Sequence, residues 1–386
     1  MSDTAKKKGP RRGWIVLAVL LVLLAVLLLV LRGVYHKCGD HVTWSFDRKT
    51  GEMVLRGTGP MRDYDSDPNY NRSTAPWKYF DGGITSVVVE DGVTSIGDYA
   101  FAYCTGLTEI TLPDSVTSIG RYAFYWCDAL CELDLPEGLT TLDDAFGGTP
   151  IRSVRVPAGV SELSGDLFDG LEHLKEIVID PKNPYYRVVD GAVYTADMTT
   201  LIRFPEAMPC ERLVVPEGVT ELGPSAFSSC EYLEAVTLPE SLTTLGREAF
   251  YNCSSLWDVN IPAGVTDLPE QAFWGCYSLG AFTVPGTVRT IGYDALANID
   301  AEYIEVEEGV EVIGGCAFYG NYDTMTYISL PASLTEIGSD AFGNCHALTD
   351  IYFGGTVSQW TELAGSQSFD SEYGVTVWCS DGEYYG

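Results

Sequence analysis

The sequence predicts a repeat solenoid: a rod of stacked units with a parallel β-sheet along one face and short helical turns or loops along the other, preceded by one transmembrane helix. Three observations predict it. The phrase VTSIGDYAFAYCTGLTEITLP (93–113) returns along most of the chain, for example as VTSIGRYAFYWCDALCELDLP, VTELGPSAFSSCEYLEAVTLP and LTTLGREAFYNCSSLWDVNIP. Counted on the second residue of its Ala-Phe pair, it recurs at Phe101, Phe124, Phe146, Phe168, Phe227, Phe250, Phe273, Leu296, Phe318 and Phe342. Every step is 22 to 24 residues except one of 59, between Phe168 and Phe227. Finally, residues 14–31 form a single uncharged apolar run ahead of all the repeats. A period in the low twenties with Leu/Ile at fixed offsets marks a leucine-rich-repeat array. One such unit cannot bury its apolar side alone, so stacked units share a continuous core.

In chain order, residues 1–13 carry Lys6, Lys7, Lys8, Arg11 and Arg12, and Trp14 to Leu31 follow without a polar side chain. As a helix those 18 residues span about 27 Å, enough for a bilayer core. No small-residue cleavage site follows Leu31, and Tyr35, His36 and Lys37 before Cys38 do not suit lipoprotein processing. An uncleaved signal anchor is expected over 14–31, in preference to a cleaved signal. Its upstream charges place a 13-residue tail in the cytoplasm and the repeats outside the cell. The net charge is −31, but the first 37 residues hold seven of the 23 Lys/Arg and one of the 54 acids. A body so acidic repels a phosphate backbone, so nucleic acid is not an expected partner.

An N-terminal cap is expected over 38–83, with Val42–Phe46 and Glu52–Arg56 as alternating strands joined by a turn at 47–51. Asp63, Asp65, Asp67 and Asn69 alternate like the opening of a calcium loop. Pro68 and Thr74 then stand where Gly and Glu are required, which favours a solvated acidic loop. The first repeat block is expected at 84–179 and the second at 210–353, with twelve strand positions from Ile84 to Phe353. Within a unit, Leu107, Ile110 and Leu112 point inward and Pro113 ends the strand. Val116 and Ile119 form a second inward edge. Ala123, Phe124 and Cys127 would share one face of a helical turn. The long step is assigned to an insert at 180–209: Asp190-Gly191 between Arg187–Val189 and Ala192–Tyr194 is a hairpin signal, and Leu201–Phe204 a third strand. The insert is either a splice between blocks or a binding element, and the splice is favoured. Residues 354–386 form a C-terminal cap and tail.

The pattern C-x-x-L-x-x-I-x-L-P-x-x-V-x-x-I-G-x-x-A-F resembles the BspA-like, surface-antigen type of leucine-rich repeat. Its likeness runs from about Ile84 to Phe353. The flanks CGDHVTWSFDRKTGEMVLRGTGPM and LTDIYFGGTVSQWTEL are similar to that family's caps. The resemblance implies a bacterial surface protein that binds host or partner macromolecules.

Six of the eleven cysteines, Cys104, Cys127, Cys230, Cys253, Cys276 and Cys345, stand three residues after the Ala-Phe pair. Thr149, Leu171, Ile299 or Asn321 fills the same slot elsewhere, so these thiols are expected to be core. Adjacent strands about 4.8 Å apart hold them with parallel directions, which suits a disulfide poorly. Cys38, Cys131, Cys210, Cys316 and Cys379 fall outside the slot and are unassigned. Four histidines without metal-ligand spacing, and no nucleophile or phosphate-loop motif, argue against an enzyme. No metal or cofactor is expected. Two triplets, at Asn71 and Asn252, match a glycosylation acceptor, and the second lies beside a core slot, which reads as a chance match.

Residues alternating with the inward Leu/Ile face out from the sheet. Over the last three rungs these are Tyr303, Glu305, Tyr327, Asp350 and Tyr352, the expected partner-binding set, because Tyr offers wide contact area and a hydroxyl. The resulting expectation is a non-catalytic, membrane-anchored extracellular protein that recognises a protein or glycan. A scaffold or spacer without a ligand on the repeats is the alternative, and a cell-wall-active enzyme a remote third.

Overall fold

The computed structural model describes residues 36–67, 72–364 and 374–385. The anchor expected over 14–31 lies outside those residues. Among the described residues no helix is long and apolar enough to cross a membrane.

Nearly every unit lays down one short strand of a main parallel sheet, and the inward residue is buried in all of these strands except Asp258–Val259, where Val259 is half-buried. Val87, Ile110, Val154, Ile177, Leu213, Val236, Phe282, Ile304, Ile328 and Ile351 line up this way. At one expected position, around Leu133, no strand forms and Leu133 is only half-buried. The second inward edge is itself hydrogen-bonded from rung to rung. The pairs Ser118–Ile119 with Thr141–Leu142, and Thr290–Ile291 with Val312–Ile313, are in parallel register.

The third side differs from expectation. No helical turn forms at Ala123–Cys127; the chain makes consecutive tight turns instead. The residue two after each of the ten positions counted from Phe101 to Phe342 has a left-handed backbone, as at Tyr103, Trp126, Gly148, Asn252 and Asn344. Such a residue interrupts a right-handed helix. Alternate N–H groups then point at the next rung rather than along a helix axis. Tyr99, Phe101 and Tyr103 donate to the carbonyls of Arg121, Ala123 and Tyr125 at 2.9, 2.7 and 2.7 Å. The turns are thereby stitched together much as a sheet would be, and the phenylalanines stack inside them. Phe101 lies 5.7 Å from Phe124 at 7°, and Phe250 lies 5.1 Å from Phe273 at 4°.

Both ends of the rod are covered. The hairpin Val42–Asp47/Glu52–Gly57 sets its second strand parallel to Ser86–Val89, with Met53 and Leu55 buried. Trp77 starts the aromatic stack, 5.5 Å from Phe101, and its Nε1 donates to the Ala100 carbonyl at 2.9 Å. The acidic loop before it is held by protein contacts: Asp63 accepts from the Asp98 N–H, and the Asp65 N–H donates to Thr74 Oγ1. At the far end an α-helix, Val357–Ala364, buries Trp360 against Phe353. Thr356 and Gln359 cap its N-terminus reciprocally. Thr376–Cys379 then adds one more parallel strand to the main sheet and Gly382–Tyr385 closes it as a hairpin.

The hairpin Tyr186–Val189/Ala192–Thr195 turns on Asp190 and Gly191, both left-handed. Thr200–Arg203 pairs with it and then, in parallel, with Glu221–Leu222. Both faces of this small sheet are covered. Val193 and Ile202 join the core of the first units, while Ala192, Tyr194, Leu201 and Phe204 join that of the later ones. The geometry is that of a splice between two stacks. Phe204 also does what Trp77 does: it lies 5.8 Å from Phe227, and its N–H donates to Ala226 O at 2.7 Å. Arg203-Phe204 is therefore a disguised Ala-Phe pair, and the step of 59 residues divides into 36 and 23.

The thiol slot is a donor position. Cys127, Cys253, Cys276 and Cys345 donate to the carbonyls of Phe101, Phe227, Phe250 and Phe318 at 3.2, 2.9, 3.1 and 3.2 Å. Asn321 fills the slot with the same function, donating to Leu296 and Phe318. All eleven cysteines are free thiols, and of the five unassigned ones Cys131 is exposed and Cys38 buried. Burial pushes the Cys104, Cys230 and Cys253 thiols well above their ordinary value. A thiol reagent is expected to label Cys131 rapidly and the six slot cysteines only after unfolding. Mass spectrometry of the labelled protein checks this; rapid native labelling of most slot thiols would refute their burial.

Candidate functional site

The main sheet is most regular at its C-terminal end. The strands Ala281–Val284, Tyr303–Val306, Tyr327–Leu330, Asp350–Phe353 and Thr376–Cys379 run in unbroken parallel register. Period-two alternation buries Ile304, Ile328, Ile351 and Val377 and turns their neighbours outward. A slip of one residue would reverse every side chain, so the buried isoleucines pin the tyrosines to the outer face.

Tyr303, Tyr327 and Asp350 occupy one outward column; Glu305, Ser329, Tyr352 and Trp378 occupy the next. Tyr303 and Tyr327 stack with ring centres 5.2 Å apart at 3°, and Tyr352 meets Tyr327 edge-on at 5.8 Å. Tyr303 is half-buried, while Tyr327 and Tyr352 are 36% and 46% exposed. Asp350 accepts from Trp378 Nε1 at 2.6 Å and from Thr349 Oγ1 at 2.7 Å. The structure thus brings all five sequence-derived residues onto one face. Trp378 belongs with them and was missed, because the tail strand carrying it has no repeat motif. A shallow groove of about 470 Å³ runs beside the patch, lined by Glu305, Glu307, Glu308, Tyr352 and Trp378. Flat aromatic surface beside carboxylates and backbone edges can hold a macromolecular partner by contact and hydrogen bonding. Elsewhere on the sheet the outward residues are smaller or more polar, among them Glu109, Thr111, Asp258 and Thr283, and Ala235 is buried. Among the described residues no three His, Cys, Asp or Glu side chains are placed to hold a metal ion.

Over residues 78–186, 203–324 and 317–371 the sequence matches the family described as BspA type leucine rich repeat region, in six copies. The chain belongs to the BspA-type leucine-rich-repeat family. Similar solved structures show the same fold. A leucine-rich repeat protein from Eubacterium ventriosum is 24% identical, with a TM-score of 0.70 over 81% of this chain and 88% of that one. The pneumococcal vaccine antigen PcpA is 18% identical, with a TM-score of 0.68 over 89% and 99%. A leucine rich cell surface protein from Faecalibacterium prausnitzii is 25% identical, with a TM-score of 0.53 over 86% and 97%. No curated protein matches. The matched segments span both stacks. The gap between the first two, 187–202, coincides with the hairpin and third strand of the splice.

Proposed function

We propose that this BspA-type chain is a non-catalytic recognition protein, held in a cell membrane by residues 14–31 with its repeats outside. The sheet face over the last rungs binds an extracellular protein or glycan. One observation carries this reading: Tyr327, Tyr352 and Trp378 form a contiguous, exposed aromatic patch on a regular sheet, at outward positions where the core does not call for an aromatic residue. Aromatic residues of this kind dominate interface energetics. The Faecalibacterium prausnitzii relative is named a cell surface protein, in keeping with the expected topology.

Tyr327→Ala is expected to leave the denaturation midpoint nearly unchanged, since the ring lies outside the core. It should weaken a captured partner by more than about 1 kcal/mol. Capture by the 38–386 region identifies the partner, and protease added to intact cells should degrade the repeats. Capture that is indifferent to Tyr327→Ala, Tyr352→Ala and Trp378→Ala would favour a spacer, and repeats protected from protease would refute the topology.

A further inference from the structure

The turn edge of the rod carries a second surface feature, unconnected with the sheet face. Across the turns around Phe124, Phe146 and Phe168 there is an open hollow of about 600 Å³. It sits where the turn pattern changes. The residue immediately before the Ala-Phe pair is left-handed at Tyr99, Tyr122, Ser225, Glu248, Gln271, Asp294, Cys316 and Asp340, but not at Asp144 or Asp166. Gly147 and Gly148 replace the bulkier residues of the preceding turn. A Cβ on Gly147 would stand 3.2 Å from the Tyr125 ring, and one on Gly148 3.1 Å from the Trp126 ring. The glycines thus let the two rings lie across the next turn, and with Tyr122 they wall one side of the hollow. Trp126 is 49% exposed there.

The rest of the lining is mostly acidic: Asp128, Asp144, Asp166, Asp169 and Glu172, against the guanidinium groups of Arg121 and Arg247. Both arginines are already engaged, Arg121 over the Tyr122 ring at 5.0 Å and Arg247 with Glu248 at 3.6 Å. Asp169 is matched from beneath by Arg203 at 2.7 Å. Among the described residues no Lys or Arg makes a salt bridge to Asp128, Asp144, Asp166 or Glu172. One carboxylate oxygen of Asp166 is buried and accepts no hydrogen bond. Burial also pushes the Asp144 carboxyl up to about 6, with the Tyr122 hydroxyl and Arg121 opposing it only in part. Five carboxylates thus face two arginines that are already engaged and His173, yet these carboxylates do not converge as metal ligands. Aromatic faces beside carboxylates suit a larger, softer cation, above all a planar guanidinium.

We propose that this hollow binds an organic cation, the arginine or lysine side chain of a basic peptide or protein. The ring system of Trp126 takes the flat face of the cation, and Asp166 and Glu172 accept its N–H groups. The same chemistry recurs among the described residues, in Arg48 over Phe80 at 4.7 Å, Arg121 over Tyr122 and Arg212 over Trp257 at 5.3 Å.

The test is calorimetric titration of the full chain in detergent with Nα-acetyl-arginine amide, a short arginine peptide and their neutral citrulline counterparts. The arginine compounds should bind, and the citrulline compounds should bind at least about tenfold more weakly. Binding of the peptide but not the single amide would place the cation on a protein partner. Binding of the amide alone would place it on a free amino compound and overturn the peptide assignment. A protein of net charge −31 attracts cations anywhere on its surface, so Trp126→Asn is the deciding variant. It leaves the charge unchanged and installs the residue that Asn252, Asn298 and Asn344 supply at the same left-handed position. Its melting curve should match that of the parent chain, with binding weakened by about fivefold or more. Glu172→Gln should weaken binding similarly. Equal affinity for citrulline, or parental affinity in both variants, would overturn the proposal.

Discussion

Arg203→Met is expected to lower stability by about 3–5 kcal/mol, the usual cost of removing one partner from a buried ion network. Arg203 is fully buried because it stands where other units place the alanine of their Ala-Phe pair. Its guanidinium donates to Asp169 at 2.7 Å, Glu206 at 2.6 Å and the Ser225 carbonyl at 2.5 Å. It also donates to the carbonyls of Phe168 and Ser228 at 3.3 and 3.4 Å. Methionine keeps most of the volume and none of the donors, so Glu206, only 3% exposed, is left a buried acid without its counterion. Even with Arg203 present, burial pushes the Glu206 carboxyl from 4.5 up to about 7. An acid raised in this way keeps its proton in the folded chain where the unfolded chain has lost it. Its contribution to stability therefore falls as pH rises from about 4.5 to about 7. Removing Arg203 removes the attraction that opposes the shift and extends this window upward, so the deficit should be larger at pH 8 than at pH 5. Adding Glu206→Gln should recover much of the loss. Urea midpoints at both pH values decide it: an Arg203→Met loss under about 1 kcal/mol would mean the network does not join the two stacks.

Arg203 also shows where the sequence stops being legible. The period, the inward Leu/Ile edges and the core thiols follow from spacing alone, because each is repeated in most units and each has a simple burial reason. The hairpin at Asp190-Gly191 is equally readable, since its two left-handed residues are of the types that accept that conformation. Other left-handed positions are not readable: Tyr122, Trp126 and Glu248 carry no sign that they leave the helical region. Their backbones are set by hydrogen bonds to the next rung, a tertiary cause that overrides local propensity. Arg203-Phe204 hides an Ala-Phe pair because a charged residue replaces the small one, and only its partners across the splice make that tolerable. The outward tyrosines were legible from alternation; Trp378 was not, because its strand joins the sheet after a helix and carries no repeat motif. The hollow at Gly147-Gly148 is a departure from the repeat, and its meaning lies in which neighbouring rings fill the space.

Phe250→Ala is expected to cost about 3–5 kcal/mol, as large aromatic truncations in packed cores do. Phe250 is fully buried and flanked on both sides, 5.0 Å from Phe227 at 5° and 5.1 Å from Phe273 at 4°. In a rod each unit touches only its neighbours, so a cavity here weakens two interfaces at once and cannot be closed by collapse from a third direction. The backbone offers little relief, because the Phe250 N–H is held by Ala272 O at 2.8 Å and its carbonyl accepts from the Cys276 thiol at 3.1 Å. Phe250→Leu should be much milder, about 1.5 kcal/mol or less. Leu296 fills the same position in its own unit and is fully buried there. The contrast separates two accounts of the column. If continuous aromatic stacking holds the rungs together, leucine should cost nearly as much as alanine. If filled volume does so, leucine should restore most of the loss. The occurrence of Leu296 between Phe273 and Phe318, without any break in strand register from Ala281–Val284 to Tyr327–Leu330, favours filled volume. Urea midpoints for the two variants should therefore lie well apart, and coincident midpoints would show that stacking geometry, not volume, sets the stability of the stack.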